Sequence, residues 1–466
     1  MTLLDDTARL AQAYLDGLPE RHVGARATAA ELMAALGGPL AEDGADPAAV
    51  IAALARNADP GLVATAGPRY FGFVTGGSLP VAVAADWLAA AWDQNAAMYA
   101  MSPAAAVVEE IVGGWVVDLL GLPRGASVGL VTGAQMANVT ALAAARHAVL
   151  QRAGWDVAAD GLAGAPPVDL VVGAEAHVTI GGALKLLGFG SRRVRVVPAD
   201  DEGRMIASEL ALTLRACDGP TIVCAQAGNV NSGASDPFDL IAAEVRAREN
   251  AWLHIDGAFG LWAAASPSLR ARVRGHAFAD SWATDGHKWL NVPYDSGLVI
   301  VAHPAAHAAA MARQAAYLAP GAADERSGMM WAPEASRRAR GFALYAALRT
   351  LGRGGVAALV DRCCALARRM ADRLRAAGVE IMNDVVLNQV LARFTPAAHS
   401  DGDSGGDGDA HTRAVIARVQ ADGTCWLGGT VWRERAAMRI SISNWSTSEA
   451  DVDRSAEAIL AAARAG

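Results

Sequence analysis

Lysine is nearly absent from this sequence. The chain of 466 residues carries 40 lysines and arginines together, and only Lys185 and Lys288 are lysines. Arginine serves equally well as a solvated surface cation. A retained lysine therefore points to work that a guanidinium cannot do: an ammonium can shed its proton when desolvated and become a nucleophile. Cysteine is also scarce. Cys217, Cys224, Cys363, Cys364 and Cys425 are irregularly spaced, which excludes a disulfide framework or a zinc pattern and fits a reducing cytosol. No apolar run approaches the roughly 18 residues of a membrane span, although 53% of residues are hydrophobic. Long basic runs are missing too, and the net charge of −8 gives no electrostatic footprint for nucleic acid. The opening "MTLLDDTARLAQAYLDGLPE" reads as an amphipathic, acid-containing helix and lacks the n- and h-regions of a signal peptide.

What is there is a regular alternation. Residues 1 to about 66 read as helical, followed by a Gly- and aromatic-rich loop, a helix, and an apolar helix started by Ser102–Pro103. From about 127, seven short β-branched runs follow: "SVGLVTG", "VDLVVGA", "RRVRVVPA", "PTIVCAQ", "AWLHIDGA", "DSWATD" and "SGLVIVA". Helical stretches lie between most of them. This pattern predicts an α/β fold with a mostly parallel central sheet and helices on both faces. Residues 333–378 read as helical, and the remainder as a small α+β domain. The expected division is an N-terminal helical segment (1–100), a large α/β domain (101–345) and a small C-terminal domain (346–466). The loop "HSDGDSGGDGDAH" has the Asp and Gly content of a calcium loop but lacks a Glu at the twelfth position. It reads as a surface loop, with no metal site expected.

In a parallel sheet, ligands sit beyond the carboxyl ends of the strands, so the residues after each run are the ones to inspect. Gly133, Ala134 and Gln135 follow the first run and lead into a helix, where small residues let backbone N–H groups approach a phosphate. Many strand–helix joints need small residues for packing alone. His177 follows the second run, as a core histidine or as a flat stacking partner. Asp256 ends the fifth, where a carboxylate is costly unless paired; it could cap a helix or hold a protonated ring nitrogen, with the small Gly257 and Ala258 leaving room for a ring face. His287 and Lys288 follow the sixth. A lysine for a Schiff base, an aspartate for a pyridinium nitrogen, a phosphate turn and a stacking partner are together the set that pyridoxal phosphate requires.

The stretches "RYFGF", "SPAAAVVEE", "TGAQMANVTAL", "AHVTIGGALKLLG", "AGNVNSGASDP", "WLHIDGAFG", "HKWL", "SRRARGFALYAALRTLGRGG" and "RISISNWSTS" resemble the group II pyridoxal-phosphate-dependent amino acid decarboxylases, of the aspartate-aminotransferase (type I) fold. The resemblance covers nearly the whole chain. It implies Lys288 as the Schiff-base lysine, Asp256 on the pyridine nitrogen, and His177 and Ala258 on the two ring faces. Gly133, Ala134, Gln135 and His287 would lie around the phosphate, and Asn229 near the cofactor where the family usually has threonine. Arg439 would hold the substrate carboxylate; read alone, it could equally make a strand-end salt bridge. The resemblance also implies an L-amino acid substrate, α-decarboxylation to the amine and carbon dioxide, and a homodimer; the cysteine pattern places it in the cytoplasm.

Two departures bear on the chemistry. The family's phosphate segment often carries serines, so Gly133, Ala134 and Gln135 leave more to backbone N–H groups. Many family members also have a tyrosine on a loop shortly before the arginine pair, linked to protonating the carbanion. Here "DERSGMMWAPEAS" precedes Arg337–Arg338 and contains none; Tyr317 lies further upstream, and His177 is another possible proton donor. The departure keeps carbon–carbon lysis, transamination and oxygen-dependent aldehyde formation open as alternatives. Trp92 and Tyr99 could pack against a substrate side chain, or serve core or dimer packing. No basic cluster beyond Arg439 points to a second carboxylate, which favours aromatic or aliphatic substrates over glutamate.

Overall fold

The computed structural model describes residues 2–312, 325–396 and 407–465. Its helices are α1 Leu3–Gly17, α2 Ala29–Leu36, α3 Pro47–Ala58, α4 Pro80–Trp92, α5 Pro103–Leu119, α6 Ala134–Arg152, α7 Val157–Asp160, α8 Val178–Leu186, α9 Ala207–Arg215, α10 Phe238–Arg246, α11 Pro304–Met311, α12 Gly341–Ala376 (interrupted at Gly352), α13 Gly408–Asp422 and α14 Glu449–Arg464. The strands are β1 Ser127–Val131, β2 Asp169–Gly173, β3 Val194–Val197, β4 Thr221–Gln226, β5 Ala251–Asp256, β6 Ser281–Asp285, β7 Gly297–Val301, β8 Glu380–Ile381, β9 Gln389–Arg393, β10 Gly428–Trp432 and β11 Arg435–Ser441.

The chain forms two compact units. The larger comprises residues 78–365 and 383–389, the smaller 1–77, 366–382 and 390–466. Residues 78–100 thus fall in the larger unit, although the sequence pattern groups them with the N-terminal helices.

The larger unit holds a seven-stranded sheet in the order β1-β7-β6-β5-β4-β2-β3. All seven β-branched runs form its strands. The pairs from β3 through β6 are parallel, while β7 runs antiparallel to both β6 and β1. Strands β1, β4, β6 and β7 are buried along their whole length, which is why they read as continuous apolar runs. Helix α6 packs on β5, β6 and β7, α10 on β5, α9 on β3 and α5 on β1. The expected helix start at Ser102–Pro103 is present: Ser102 accepts the Ala105 N–H and Pro103 occupies the first turn.

One helical expectation does not hold. Residues 333–340 are irregular, and α12 begins only at Gly341. The backbone there is committed elsewhere: Arg337 N–H donates to Asn95 Oδ1, and Arg337 C=O accepts the Ala96 N–H. The buried Arg337 guanidinium pairs with Glu109 at 2.8 Å and donates to the Leu130 carbonyl. A buried cation with that many partners overrides helix propensity.

In the smaller unit, α13 packs on a four-stranded sheet ordered β10-β11-β9-β8. Helix α14 starts at Ser448 in a capping box with Asp451. Helices α1, α2 and α3 contain no buried residue. Most of the Asp/Gly loop and Tyr317 lie outside the described residues. Among the described residues no His, Cys, Asp or Glu cluster could hold a metal, and no helix is long and apolar enough to cross a membrane.

Candidate active site

Strands β2, β4, β5 and β6 end at one edge of the parallel sheet, and their following loops carry the chemistry-bearing side chains of the larger unit. Beyond β6 the chain turns through Gly286 to Lys288. Lys288 is half-buried, and its Nζ lies 3.0 Å from Asp285 Oδ2. Asp285 is buried and also joins two other groups: its Oδ1 accepts the Ala134 N–H at 2.6 Å and lies 3.4 Å from His287 Nε2. One carboxylate thus ties the lysine to the N-terminus of α6.

His287 Nδ1 accepts the Ser296 N–H at 3.0 Å, so the neutral ring carries its proton on Nε2, facing Asp285. Burial lowers the His287 pKa, which favours that neutral form. Its other contact is the Tyr294 ring, stacked at 4.2 Å. The 133–135 turn comes this close only because of two glycines. A Cβ on Gly297 would collide with the Gly133 backbone, and one on Gly133 would lie 3.1 Å from His287 Cε1.

Asp256 ends β5 and is buried. Its Oδ2 accepts from Asn138 Nδ2 at 3.2 Å and Thr179 Oγ1 at 3.5 Å; its Oδ1 accepts the Ala258 N–H at 3.2 Å. No cation forms a salt bridge with it among the described residues. A buried carboxylate with neutral donors and no counter-charge is what a proton-bearing ring nitrogen would complete. A cavity beside it is lined by Gly173, His177, Cys224, Gln226, Asp236 and Asp256. His177 caps α8; its Nδ1 lies 2.8 Å from Thr179 Oγ1, and its N–H donates to Gln226 Oε1.

The remaining expected residues take positioning contacts. Gln135 Nε2 donates to the Thr179 carbonyl. Asn229 Oδ1 accepts the Asn231 and Ser232 N–H groups, and its Nδ2 reaches the Glu175 carbonyl at 3.4 Å, two residues before His177. The Ala258 carbonyl accepts the Asp285 N–H. Lys185 is exposed on α8, remote in character from the buried cluster. Trp92 packs edge-on against Phe342, a packing role within the larger unit.

Arg439 lies on β11 of the smaller unit. Burial lowers its pKa, while neighbouring Tyr70 opposes that shift. Tyr70 stacks on Trp426 with ring centroids 5.3 Å apart, and Phe73, 61% exposed, stacks on Trp426 at 5.9 Å. A Cβ on Gly72 would collide with the Trp426 ring.

Sequence reasoning missed Asp285, Asn138, His254, Ser281 and Thr179. Two signals were present: Trp252, His254 and Asp256 alternate on β5 and so share one face, and Asn138 sits one turn into α6 after Ala134.

His254 gives an acid-stability expectation. Burial pulls it down to about 4, and His307, buried between Ser127 and Trp331, likewise to about 4. Burial pushes Asp236 up to about 6, against two backbone N–H groups that favour its charge. Below pH 6.5 the unfolded chain binds two histidine protons that the native chain refuses. Between about 6 and 4 the native chain gains one on Asp236 that the unfolded chain lacks. Over these three groups the unfolded state still binds one more proton, so they lower stability on acidification by roughly 1.4 kcal/mol per pH unit in that window, and buried His287 acts in the same direction. Urea midpoints at pH 7, 6 and 5 check this; a flat or rising trend contradicts it.

Residues 32–394 match the family model described as the pyridoxal-dependent decarboxylase conserved domain. An L-2,4-diaminobutyrate decarboxylase of Rhizobium meliloti is 30% identical over 442 residues, covering 91% of this chain and 84% of that protein. An aromatic-L-amino-acid decarboxylase of Bacillus atrophaeus is 26% identical over 417 residues, covering 88% and 84%. The solved structure of Oryza sativa TDC with PLP and tryptamine superposes with a TM-score of 0.92 at 23% identity, covering 99% of this chain and 97% of that one. At that identity the likeness shows the fold.

Proposed function

The chain belongs to the pyridoxal-dependent decarboxylase family and is a carboxy-lyase acting on an amino acid; we propose that Lys288 is the residue that carries its pyridoxal phosphate, and that the substrate has an aromatic or large apolar side chain. The cofactor, when bound, supplies the electron sink for the pair left on Cα as carbon dioxide departs. Every other task falls to the chain. Asp285 holds Lys288 Nζ beside the α6 N-terminus, and Lys288 must lose its proton to react. Asp256, oriented by Asn138, Thr179 and Ala258, holds a proton at the ring nitrogen. His177 would cover one ring face and Ala258 the other. The Gly133–Gln135 turn and His287 would hold the phosphate, and Asn229 braces the loop before His177 through Glu175. Arg439 takes the substrate carboxylate. His177 is the candidate to return a proton to Cα.

The observation that carries the substrate class is the Tyr70–Trp426–Phe73 stack close to Arg439, an apolar surface beside a carboxylate partner. Rates of amine and carbon dioxide formation across an amino acid panel test it. We expect the highest kcat/KM for aromatic or large apolar substrates; preference for glutamate or 2,4-diaminobutyrate contradicts the assignment. Aldehyde or keto acid as the main product would contradict simple decarboxylation.

A homodimer is supported by α1–α3, which contain no fully buried residue and expose Leu4 at 75% and Met33 at 73%. Amphipathic helices of this kind need a cover. Light scattering should give twice the 47.9 kDa chain mass; a monomer at working concentration contradicts it. Five free, buried cysteines support a reducing, cytoplasmic setting.

A further inference from the structure

A buried chain of side chains runs from Trp252 to Asp256, and its direction is forced from both ends. Trp252 Nε1–H can only donate, and it reaches Ser281 Oγ at 2.8 Å. Ser281 Oγ lies 2.9 Å from His254 Nδ1, and His254 Nε2 lies 2.9 Å from Asn138 Oδ1. Asn138 Nδ2 reaches Asp256 Oδ2 at 3.2 Å. An ionised carboxylate can only accept, so the Asn138 amide must turn its NH₂ to Asp256 and its oxygen to His254. His254 Nε2 must then carry the hydrogen. Neutral His254 accepts at Nδ1, so Ser281 donates there while accepting from Trp252. Trp252, Ser281, His254 and Asn138 are all buried, and burial keeps His254 uncharged at neutral pH.

The fold builds this arrangement from three elements. Trp252, His254 and Asp256 share one face of β5, Ser281 sits opposite His254 on β6, and Asn138 comes from α6 packed on both strands.

We propose that Trp252, Ser281, His254 and Asn138 form a one-way hydrogen-bond relay that positions Asp256, as an acceptor, for the cofactor ring. The inference rests on the reading of Asp256 as the partner of the ring nitrogen. All four bonds donate toward Asp256. A proton passed along the relay to Asp256 would have to leave the Asn138 amide or the Trp252 indole, N–H groups far too weakly acidic to give it up near neutral pH, so the relay donates hydrogen bonds to the carboxylate without protonating it. The four are positioning residues, and along this chain of side chains only Asp256 would meet the cofactor.

The test has two arms. In the first, ¹⁵N-histidine spectra of the wild-type protein, with His254 assigned by the resonance missing from His254→Gln, should show the Nε2–H tautomer, uncharged, from pH 6 to 8. The Nδ1–H tautomer or an imidazolium at neutral pH overturns the relay whatever the cofactor does. In the second, cofactor affinity is read by absorbance titration. His254→Phe should weaken it by about tenfold or more, the scale of a disturbed hydrogen bond to a charged group. His254→Gln, which can still donate to Asn138 Oδ1, should recover most of that loss. In an Asn138→Leu background, His254→Phe should change affinity by less than about twofold, because its route to Asp256 is already cut. Wild-type affinity in both single variants, or effects that multiply independently, overturns the relay. Failure of the Asp256 reading shows separately, as an Asp256→Ala variant with undiminished affinity and turnover.

Discussion

Lys288→Ala is expected to abolish decarboxylation, with a loss on the order of 10⁴-fold or more, the range seen when a covalent nucleophile is removed. Visible absorbance of the bound cofactor should vanish with it. Lys288→Arg should fail nearly as badly. It keeps a cation near Asp285 but cannot release a proton to become a nucleophile. Lys185→Arg should behave as wild type, since Lys185 is an exposed residue of α8. Turnover by stopped assay of released carbon dioxide, together with an absorbance spectrum, checks all three. Full turnover in Lys288→Ala would remove the foundation of the site assignment.

Asp256→Ala carries the second largest effect. The carboxylate has three neutral donors and no cation partner among the described residues, so its charge is available to hold the ring-nitrogen proton. Without it, carbanion stabilisation weakens, and kcat should fall on the order of 10²–10³-fold, the scale of one preorganised electrostatic contact. Cofactor affinity should fall, but at saturating cofactor the attachment through Lys288 should still form, so absorbance persists while turnover collapses. That separation distinguishes Asp256 from Lys288. A kcat within a fewfold of wild type would contradict the role.

Much of the fold is legible in the amino-acid sequence. The seven β-branched runs are the seven strands of the large sheet, because buried strands need continuous apolar residues and loops between them need small or polar ones. The rule that ligands gather beyond strand ends then selected Gly133, His177, Asp256 and Lys288, and the structure places all four in the larger unit. The part that was not readable depends on partners distant in sequence. Residues 333–340 have helical composition, but Arg337 is claimed by Glu109, the Asn95 side chain and the Ala96 backbone. Asp285 looked like an unremarked strand end, yet it contacts Ala134, 151 positions away in the chain. His254 and Asn138 are 116 positions apart. Strand and helix periodicity is local and carries no record of such pairings. Asn229 shows the same limit in part: its Oδ1 serves its own turn, a local contact, but its Nδ2 reaches the Glu175 carbonyl, 54 positions away, which no local pattern announces.

Borohydride reduction of the cofactor-loaded protein, followed by peptide mass mapping, tests the central claim most directly. With two lysines in 466 residues, the outcome is nearly binary. The cofactor mass should appear on the peptide containing "DGHKWL", at Lys288. Its appearance at Lys185, or the absence of any lysine adduct from a protein that turns over substrate, would contradict the account.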